Sequence, residues 1–544
     1  MNSSLNLINS ELISLGMKVN SNKSGTICFS NNPPDNINIH INNNPIEIKA
    51  VHKYLGIWID QKLNFKTHIT ETVNKCKRKI NILKMLSRKK GGCHPATLQK
   101  INNSIIRSVL DYGISVYSSS SKTDFNRLEK VQNLSIRTSF RFLQSTPIHV
   151  IYAEAGELPL KYRAQYLTFK EILKTLFYNN SPTVNKIKDL INSDVIPKYT
   201  SYLEKVASIN NFHILQCKAS IDDTITLDDL NKLIINPVIN NLNKNTTPIS
   251  VQKLLVQYLL RDNFSTHFKI FTDGSKTIQG VGYGFYDEKN RKSFSFKLSP
   301  AFSIMNAELV AIIEAIEYAI SINQLKIVIL TDSQSSCLNL LNPNTDNYLI
   351  NKLFTLIYYN NLEEIVIQWI PGHVNILGND RADAAAKLGV NRTQQENYAL
   401  TLGDCLLNFK HELLTEWTRE YEMLSTEKGI KHFEIMDKIE LKPWFYNIQL
   451  STTETIIINR IRTFHTATKE RLAQWKLIRS DICTTCNIQE NLHHILFDCV
   501  RLSTIRSKYP VLIQKLELKN ILKNKKLDQY LQLAEFINEA KVSV

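Results

Sequence analysis

Between residues 266 and 390, apolar residues follow an order that few folds share. Three alternating runs, at 268–273, 281–286 and 294–298, predict strands whose short connections make an antiparallel meander. The later ranges predict a helix, a buried strand, two helices, a strand and a last helix, at 307–320, 326–331, 333–341, 348–360, 365–370 and 379–387. This order predicts an α/β fold with a mixed five-stranded sheet and flanking helices.

Four carboxylates fall at the ends of these predicted elements. Asp273 and Asp332 each close a strand, Glu308 opens a helix, and Asp383 lies in the first turns of the last helix. Strand ends and helix starts meet at one edge of such a sheet, so the four side chains can converge there. Gathered carboxylates repel each other unless cations neutralise them, and oxygen ligands of this kind suit Mg²⁺. Each one alone is more typical of a turn, a cap or a surface charge, so the prediction depends on the ordered set.

The residues around these carboxylates resemble the type 1 ribonuclease H family. The matching segments are 271–275, 306–309, 331–334 and 372–383, and the order of elements is the same. The resemblance implies hydrolysis of the RNA strand of RNA–DNA hybrids with two Mg²⁺ ions, for which Mn²⁺ is an alternative. By position, it implies that Asp273, Glu308, Asp332 and Asp383 hold these ions.

The same resemblance assigns roles to three neighbouring residues. It implies that His373, in the loop before the last helix, assists proton transfer or product release. It also implies that Gly274 and Ser275 let the backbone approach the RNA 2′-hydroxyl groups that distinguish RNA from DNA. Asp380 departs from the family pattern, in which Glu is more frequent at that position.

Basic residues are concentrated outside this segment. The chain has 66 Lys and Arg against 50 Asp and Glu, a net charge of +16. Residues 1–150 contain 21 against 8, a difference of +13, whereas residues 266–390 contain 10 against 12, a difference of −2. Such an excess favours a polyanionic partner such as nucleic acid. The resemblance to ribonuclease H implies that this partner is RNA or an RNA–DNA hybrid. The run Lys77, Arg78 and Lys79 is predicted to contact phosphates, and a solvated helix face is the equal alternative.

The N-terminal region resembles the end of the reverse transcriptase of non-LTR, LINE-like retrotransposons, through segments 16–24 and 54–60. The resemblance implies a palm remnant with a primer-grip strand over residues 1–60, then a mostly helical thumb and connection over 61–180. The aromatic-x-Asp-Asp hairpin of the polymerase site is not in the sequence, so no polymerase activity is expected from this chain alone. We therefore predict a truncated polyprotein, with a separate reverse transcriptase as one candidate partner.

A cysteine cluster near the C-terminus has metal-ligand spacing. Cys483, Cys486, His494 and Cys499 suit one tetrahedral, structural Zn²⁺. His493 is the competing third ligand. His494 is preferred because its spacing to Cys499 also resembles a zinc motif of related retroelement polyproteins. Free cysteines are the alternative.

Composition sets the remaining boundaries. We predict a linker with short helices at 181–265, the ribonuclease H-like domain at 266–390, a helical region at 391–475, a zinc knuckle at 476–500 and a basic amphipathic tail at 501–544. The tail either packs on the body or binds nucleic acid. No apolar run suits a membrane span and no secretory signal is visible, so neither membrane nor secretion is expected, and nucleus and cytoplasm both stay open.

Together these patterns predict an endonuclease that cleaves the RNA strand of hybrids by a two-metal-ion mechanism. The alternative is a catalytically inert nucleic-acid-binding relic that uses the basic flanks and the zinc knuckle.

Overall fold

The computed structural model describes two compact units. The described residues are 2–20, 23–29, 38–41, 44–88, 91–178, 183–192, 225–240, 242–244, 246–342, 347–514 and 516–542. Phe169–Glu412 form one unit, here called the sheet unit, while Met1–Thr168 and Leu413–Val544 together form the other, here called the flanking unit. The predicted linker at 181–265 lies partly outside the described residues.

The sheet unit is built on a six-stranded mixed sheet. Its strands are β1 Leu233–Asn236, β2 Phe268–Thr277, β3 Gly280–Asp287, β4 Lys292–Leu298, β5 Lys326–Thr331 and β6 Glu364–Trp369. Their order across the sheet is β1-β6-β5-β2-β3-β4, with the meander β2-β3-β4 antiparallel and the other pairs parallel. The mixed α/β sheet is confirmed, with one strand more than the five predicted. The extra strand, β1, has four residues within the predicted linker, and a run this short does not show a strand period.

Helices cover this sheet and carry part of the candidate site. They are α1 Ile249–Tyr258, α2 Ile304–Ser321, α3 Gln334–Leu340, α4 Tyr348–Tyr359 and α5 Leu377–Val390, with Thr183–Asn192 and the single turns Leu227–Asp229 and Leu259–Asn263 elsewhere in the unit. Both α2 and α5 pack on β2 and β3. α2 is apolar on nearly all sides, which is typical of a helix buried between a sheet and other helices.

α5 lies unusually close to β3 because small residues face each other there. A Cβ atom added to Gly284 would lie 2.7 Å from the Cβ atom of Ala385, and one added to Gly282 would lie 2.4 Å from the backbone nitrogen of Val390. A side chain at either glycine would push the helix away. The close approach brings α5, which carries Asp383, against the strand that pairs with β2.

β2 is longer than the predicted strand at 268–273. Its parallel pairing with β5 ends where Thr272 lies opposite Thr331, and its antiparallel pairing with β3 continues until Thr277 lies opposite Gly280. The apolar run covers only the part of β2 that has neighbours on both sides. Asp273 therefore lies inside a strand, one residue beyond the end of the parallel pair.

The flanking unit is predominantly helical. Together with the two helices that contribute residues to both units, its helices are Asn2–Ser14, Lys66–Leu86, Pro95–Asn102, Ser108–Asp111, Ile114–Tyr117, Lys122–Phe140, Ile148–Ala155, Leu160–Tyr178, Leu402–Glu427, Ile430–Ile435, Thr452–Arg462, Lys469–Gln474, Ser503–Arg506, Pro510–Ile513, Leu518–Asn524 and Leu527–Glu539, with single turns at Asn103–Arg107, Trp444–Asn447, His494–Asp498 and Val500–Leu502. Two short antiparallel strands pair His40–Ile41 with Asn44–Pro45. A hydrophobic cluster that includes Ile69, Ile80, Leu110 and Leu128 forms a core among the N-terminal helices. In the part of the chain that the structure describes, no helix is both long and apolar enough to cross a bilayer.

The segment 54–60, to which the resemblance assigns the primer-grip strand, is not one continuous strand. The structure has a hairpin there, in which Val51–Tyr54 pairs with Ile57–Asp60. Leu55 and Gly56 form its two-residue turn and have positive φ angles of 45° and 87°, as such turns require. Leucine is rare in this conformation, so the sequence pattern gave no sign of a turn.

The tail at 501–544 differs from a continuous amphipathic helix. Its described residues form several short helices, and the last of these, Leu527–Glu539, buries Tyr530, Leu533 and Phe536. Of the two alternatives for the tail, the structure shows packing on the flanking unit.

A buried ionic cluster links the two chain segments of the flanking unit. Glu154 accepts hydrogen bonds from Arg462 Nη2 at 2.8 Å and from His432 Nε2 at 2.8 Å. Arg462 also donates to the Tyr530 hydroxyl at 2.8 Å and to the Leu522 carbonyl at 2.7 Å. Burial alone would raise the pKa of Glu154, but Arg462 and His432 more than offset this effect and lower the pKa to about 2. Glu154 is therefore a charged residue with a structural role.

Candidate active site

Three of the four predicted carboxylates form one cluster at the end of the parallel strands. One carboxylate oxygen from each of Asp273, Glu308 and Asp332 lies within 4.8 Å of the others. The sheet register explains why Asp273 and Asp332 are close. Thr272 lies opposite Thr331, and each aspartate is the next residue in the chain. Glu308 lies in the second turn of α2, which begins at Ile304, three residues earlier than predicted.

Asp383 lies beside this cluster without joining the group of three. It is in hydrogen-bond contact with Asp273, and its Oδ2 atom accepts a hydrogen bond from Lys387 Nζ at 2.6 Å. Lys387 is one helical turn further along α5, so the lysine partly neutralises the fourth carboxylate. Sequence reasoning missed this lysine, although its i,i+4 spacing from Asp383 is visible in the sequence.

The cluster is electrostatically unfavourable without a cation. Burial, together with the negative charges of Asp332 and Asp383, raises the pKa of Asp273 to about 7. Burial, followed by the charges of Asp273 and Asp332, raises the pKa of Glu308 well above its ordinary range. Burial also raises the pKa of Asp332. In each case the charged form is disfavoured, as expected where like charges share a desolvated site.

The donor set fits a hard divalent cation. Glu308 Oε2 is buried and has no hydrogen-bond partner, while the rest of its carboxylate accepts from the Gly274 backbone. A buried carboxylate oxygen without a partner is unusual in a folded protein. Oxygen ligands at this spacing are those that Mg²⁺ or Mn²⁺ takes in proteins.

Comparison with known proteins identifies this region. The family model described as RNase H matches residues 265–391. This stretch is a ribonuclease H domain. Its family uses divalent metal ions and acts on RNA–DNA hybrids. The resemblance drawn from the four acidic segments is thus confirmed, and β1 lies outside the matched range.

The chain is also similar to polymerases of mobile elements. It is 26% identical over 121 residues to the RNA-directed DNA polymerase from mobile element jockey of Drosophila melanogaster, and these residues are 22% of this chain and 13% of that protein. It is 26% identical over 128 residues to the probable RNA-directed DNA polymerase from transposon BS of the same species, covering 22% and 14%. The jockey polymerase of Drosophila funebris gives 26% identity over 121 residues, covering 22% and 13%. The matched part thus spans about a seventh of these relatives, and the predicted link to retrotransposon polymerases is confirmed.

Two further residues hold Asp332 in the ribonuclease H domain. The Asn379 side chain donates a hydrogen bond to the Asp332 carboxylate and opposes the rise in its pKa. The indole nitrogen of Trp369, at the end of β6, donates to the Asp332 backbone carbonyl at 3.2 Å. Sequence reasoning placed Asn379 only at the start of the last helix and gave it no role.

The start of α2 is held by a residue beyond the matched family region. Asp404 is fully buried. It accepts hydrogen bonds from the Ser303 backbone and from the Asn306 side chain, each at 2.8 Å. The Thr401 hydroxyl accepts a hydrogen bond from the Asn306 side chain and donates one to the Asp404 carboxylate. Because Glu308 lies two residues after Asn306, this network fixes the helical turn that carries it. A single buried Asp in a helical region gives no sequence signal for such a role.

The remaining predicted residues of the domain occupy different settings. His373 is exposed, has a positive φ of 60° and lies close enough to Asp332 to oppose the rise in its pKa. Gly274 and Ser275 are buried in β2. A Cβ atom at Gly274 would lie 2.9 Å from the Glu308 backbone nitrogen. The missing side chain at Gly274 therefore serves the packing of α2 against β2.

The predicted zinc ligands come together in the flanking unit. One ligand atom from each of Cys483, Cys486, His494 and Cys499 lies within 4.8 Å of the others. The Sγ atom of Cys499 is 3.9 Å from those of Cys483 and Cys486, close to the roughly 3.8 Å between sulfur ligands of a tetrahedral zinc. His493 is exposed instead and pairs with Asp498 at 3.0 Å.

Within the cysteine cluster, electrostatics favour the thiolate at Cys483, whereas burial and the thiols of Cys483 and Cys486 raise the pKa of Cys499. Burial alone would raise the pKa of the Cys483 thiol, but the backbone N–H groups of Cys486 and Thr485, with neighbouring side chains of the cluster, lower it to about 6. A lowered thiol pKa favours the thiolate, which is the form that binds zinc.

The predicted phosphate contacts lie on the helix Lys66–Leu86 of the flanking unit. Lys77 and Arg78 are exposed, and Lys79 is half-buried. Arg78 also lines a cavity of about 570 Å³ with Trp58 and Tyr112. This setting fits either a phosphate contact or a solvated helix face.

Proposed function

We propose that this chain hydrolyses the RNA strand of RNA–DNA hybrids, with two divalent cations, Mg²⁺ or Mn²⁺, held at the carboxylate cluster. The observation that carries the proposal is the approach of Asp273, Glu308 and Asp332 to within 4.8 Å in a ribonuclease H domain. Their raised pKa values support it, because the cluster lacks the positive charge that would stabilise it.

The proposed ligand roles follow from the contacts among the carboxylates. Asp273 contacts both Glu308 and Asp383, so it would be shared between the two cations. Glu308 and Asp332 would complete one cation site and Asp383 the other. When bound, the cations supply an activated water and charge stabilisation for phosphodiester hydrolysis.

His373 is proposed to assist proton transfer or product release. Its exposure and its nearness to Asp332 support this role. When a cation binds Asp383, the ion pair between Lys387 and Asp383 would break. The lysine side chain is 61% exposed, so it can turn towards solvent. Gly274 and Ser275 remain proposed to contact the RNA strand through their backbone.

A structural Zn²⁺ is proposed for Cys483, Cys486, His494 and Cys499. The four ligand atoms leave no position for a substrate, so the metal would stabilise the fold. Since the curated relatives are named RNA-directed DNA polymerases, we propose that a separate reverse transcriptase supplies the hybrid. No polymerase activity is proposed for this chain.

The test is cleavage of an RNA–DNA hybrid labelled on each strand in turn, with Mg²⁺ present. The wild-type chain should cut only the RNA strand. Asp273→Asn should lower the rate by about 10³-fold or more, since the charge that the cations supply is worth several kcal/mol. Asp262→Asn, an exposed aspartate of the same unit, is the matched control and should cut at the wild-type rate.

Two results would reject the proposal. If wild type and Asp273→Asn cut equally, the cluster is not the active site. If neither cuts but both bind the hybrid with a steep dependence on salt, the chain is a nucleic-acid-binding relic whose charge lies in its flanks.

A further inference from the structure

A cavity of about 720 Å³ in the flanking unit has no role in the proposed hydrolysis. Three arginines line it, Arg137, Arg141 and Arg460, and no Asp or Glu is among the described residues of its lining. The elements that enclose it are the ends of the helices Lys122–Phe140 and Leu527–Glu539 and one side of the helix Thr452–Arg462.

Local structure accounts for the position of one of these arginines. Arg137 donates to the Leu143 carbonyl at 2.6 Å and to the Thr146 carbonyl at 2.5 Å. It therefore holds the loop that follows its helix. Its positive charge still faces a cavity whose described lining holds no carboxylate.

Arg141 is less completely satisfied. One of its terminal nitrogens donates to the Arg88 backbone carbonyl, but its Nε atom is buried and has no hydrogen-bond partner. A buried guanidinium nitrogen in this state costs free energy that an acceptor on a ligand would recover.

Arg141 and Arg460 also repel each other. Burial, followed by the positive charge of Arg141, lowers the pKa of Arg460, and burial lowers that of Arg141. Both arginines line the cavity, so an anion inside it would reduce this repulsion. The planar guanidinium groups suit a phosphate in particular.

The rest of the cavity wall combines apolar side chains with the uncharged polar residues Ser87, Thr138, Gln144, Thr453 and Asn538. Phe142, Ile456 and Ile457 line it. Its volume is in the range of small-molecule sites, about 300–1,000 Å³. Arginines and apolar side chains in one cavity together match a nucleotide, which has a charged phosphate and a flat, weakly polar base.

The charge of the chain is distributed in a way that favours such a ligand. The flanking unit, Met1–Thr168 and Leu413–Val544, contains 43 Lys and Arg against 26 Asp and Glu, a difference of +17. The sheet unit, Phe169–Glu412, contains 23 against 24, a difference of −1. Long-range attraction of a polyanion therefore acts on the unit that holds the cavity.

We propose that this cavity binds one nucleotide of a single-stranded nucleic acid, with its phosphate on Arg141 and Arg460 and its base against Ile456 and Ile457. Only an unpaired, unstacked nucleotide can place its base on such a wall. The site is separate from the carboxylate cluster and acts in binding, so it does not depend on cleavage.

The test measures binding of a labelled 12-nucleotide single-stranded RNA to the full chain by fluorescence anisotropy, without added divalent cations. Arg141→Gln should raise Kd about tenfold or more, as expected for a lost charge-assisted contact. The slope of log K against log salt should become smaller by about 1. Arg479→Gln removes the same charge from an exposed position outside the cavity and is the matched control.

Thermal unfolding shows whether the variants fold and whether the site is specific. Arg141→Gln should melt close to wild type, because the loss of one of two repelling charges offsets the lost hydrogen bond to the Arg88 carbonyl. Inorganic phosphate should raise the Tm of wild type more than that of Arg141→Gln at matched ionic strength. Arg460→Lys keeps the charge but loses the planar fork, so it should fold and still weaken RNA binding.

Three outcomes would overturn the proposal. Equal weakening by Arg141→Gln and Arg479→Gln would mean diffuse attraction without a site. A Tm increase with phosphate or a mononucleotide, but no effect of Arg141→Gln on RNA binding, would mean that the site takes free phosphate compounds. An equal effect of Arg141→Gln on duplex and single-stranded probes would exclude an unstacked base in the cavity.

Discussion

Two buried glutamates show opposite uses of the same side chain. Glu154 and Glu308 are both shielded from water, yet the pKa of Glu154 is lowered to about 2 and that of Glu308 is raised. Glu154 lies against Arg462 and His432, whereas Glu308 lies among other carboxylates. The first arrangement stabilises the fold and the second destabilises it until a cation binds. Burial alone therefore does not distinguish a structural acid from a functional one.

Glu154 should make the flanking unit sensitive to acid. Its pKa is lower in the folded state than the ordinary 4.5, so the ionised form stabilises the fold. This contribution is complete above about pH 4.5 and is lost as the pH falls towards 2. Glu154→Gln should lower the free energy of unfolding at pH 7 by about 3–5 kcal/mol, because Arg462 is left buried and unpaired.

Urea unfolding at several pH values checks this prediction. The free energy of unfolding of Glu154→Gln should fall less steeply below pH 4.5 than that of wild type. Glu434→Gln, which breaks an exposed pair with Lys519 at 3.6 Å, is the control and should cost about 0–1 kcal/mol. Equal losses in the two variants would contradict a structural role for the buried cluster.

At the scale of elements, sequence patterns predicted what depends on local periodicity. The buried strand at 326–331 has its predicted bounds, and the meander is present. The patterns missed β1, because four residues show no period, and they shortened β2, because its last residues pair on one side only. Within the site, motif spacing indicated the carboxylates, but it could not indicate Asn379 or Asp404, whose roles arise from contacts across the fold.

Asp404 should control both stability and cleavage through α2. Asp404→Ala removes the acceptor for the Ser303 backbone and the Asn306 side chain. It should lower the free energy of unfolding by about 2 kcal/mol, since a helix start and a buried amide lose their partner. Because the turn that carries Glu308 loosens, half-maximal cleavage should require more Mg²⁺.

The measurement is a Mg²⁺ titration of hybrid cleavage together with Tm. Glu412→Ala, an exposed acid on the same helix as Asp404, is the control and should match wild type in both. Asp404→Asn should restore part of the Mg²⁺ affinity, since the amide oxygen still accepts a hydrogen bond. A loss of Tm with an unchanged Mg²⁺ requirement would show that Asp404 does not position Glu308.

At the scale of the whole molecule, net charge and the two proposed metal sites are divided between the two units. The flanking unit contains the excess positive charge and the cysteine cluster, while the near-neutral sheet unit contains the carboxylates. The proposed Mg²⁺ site therefore lies in the sheet unit and the proposed Zn²⁺ site in the flanking unit. Removing one metal should change the stability of the unit that holds it.

Calorimetry should show this division as two unfolding transitions. Mg²⁺ should raise only the transition of the sheet unit, because it neutralises the carboxylate cluster. A zinc chelator, or Cys499→Ser, should lower only the transition of the flanking unit, and elemental analysis should fall from one zinc per chain to none. Cys28→Ser, outside the cluster, is the control and should keep its zinc. A single transition shifted by both metals would contradict this prediction.

The buried pair between Glu154 and Arg462 also determines when the flanking unit can complete its folding during synthesis on the ribosome. The two residues are 308 positions apart. At about 5–20 residues per second, Arg462 emerges about 15–60 s after Glu154. Throughout that time the N-terminal helices contain Glu154, which is buried in the folded unit, without Arg462 to pair with it. The whole sheet unit is synthesised between the two residues. The nascent flanking unit is therefore expected to bind chaperones until its C-terminal helices arrive.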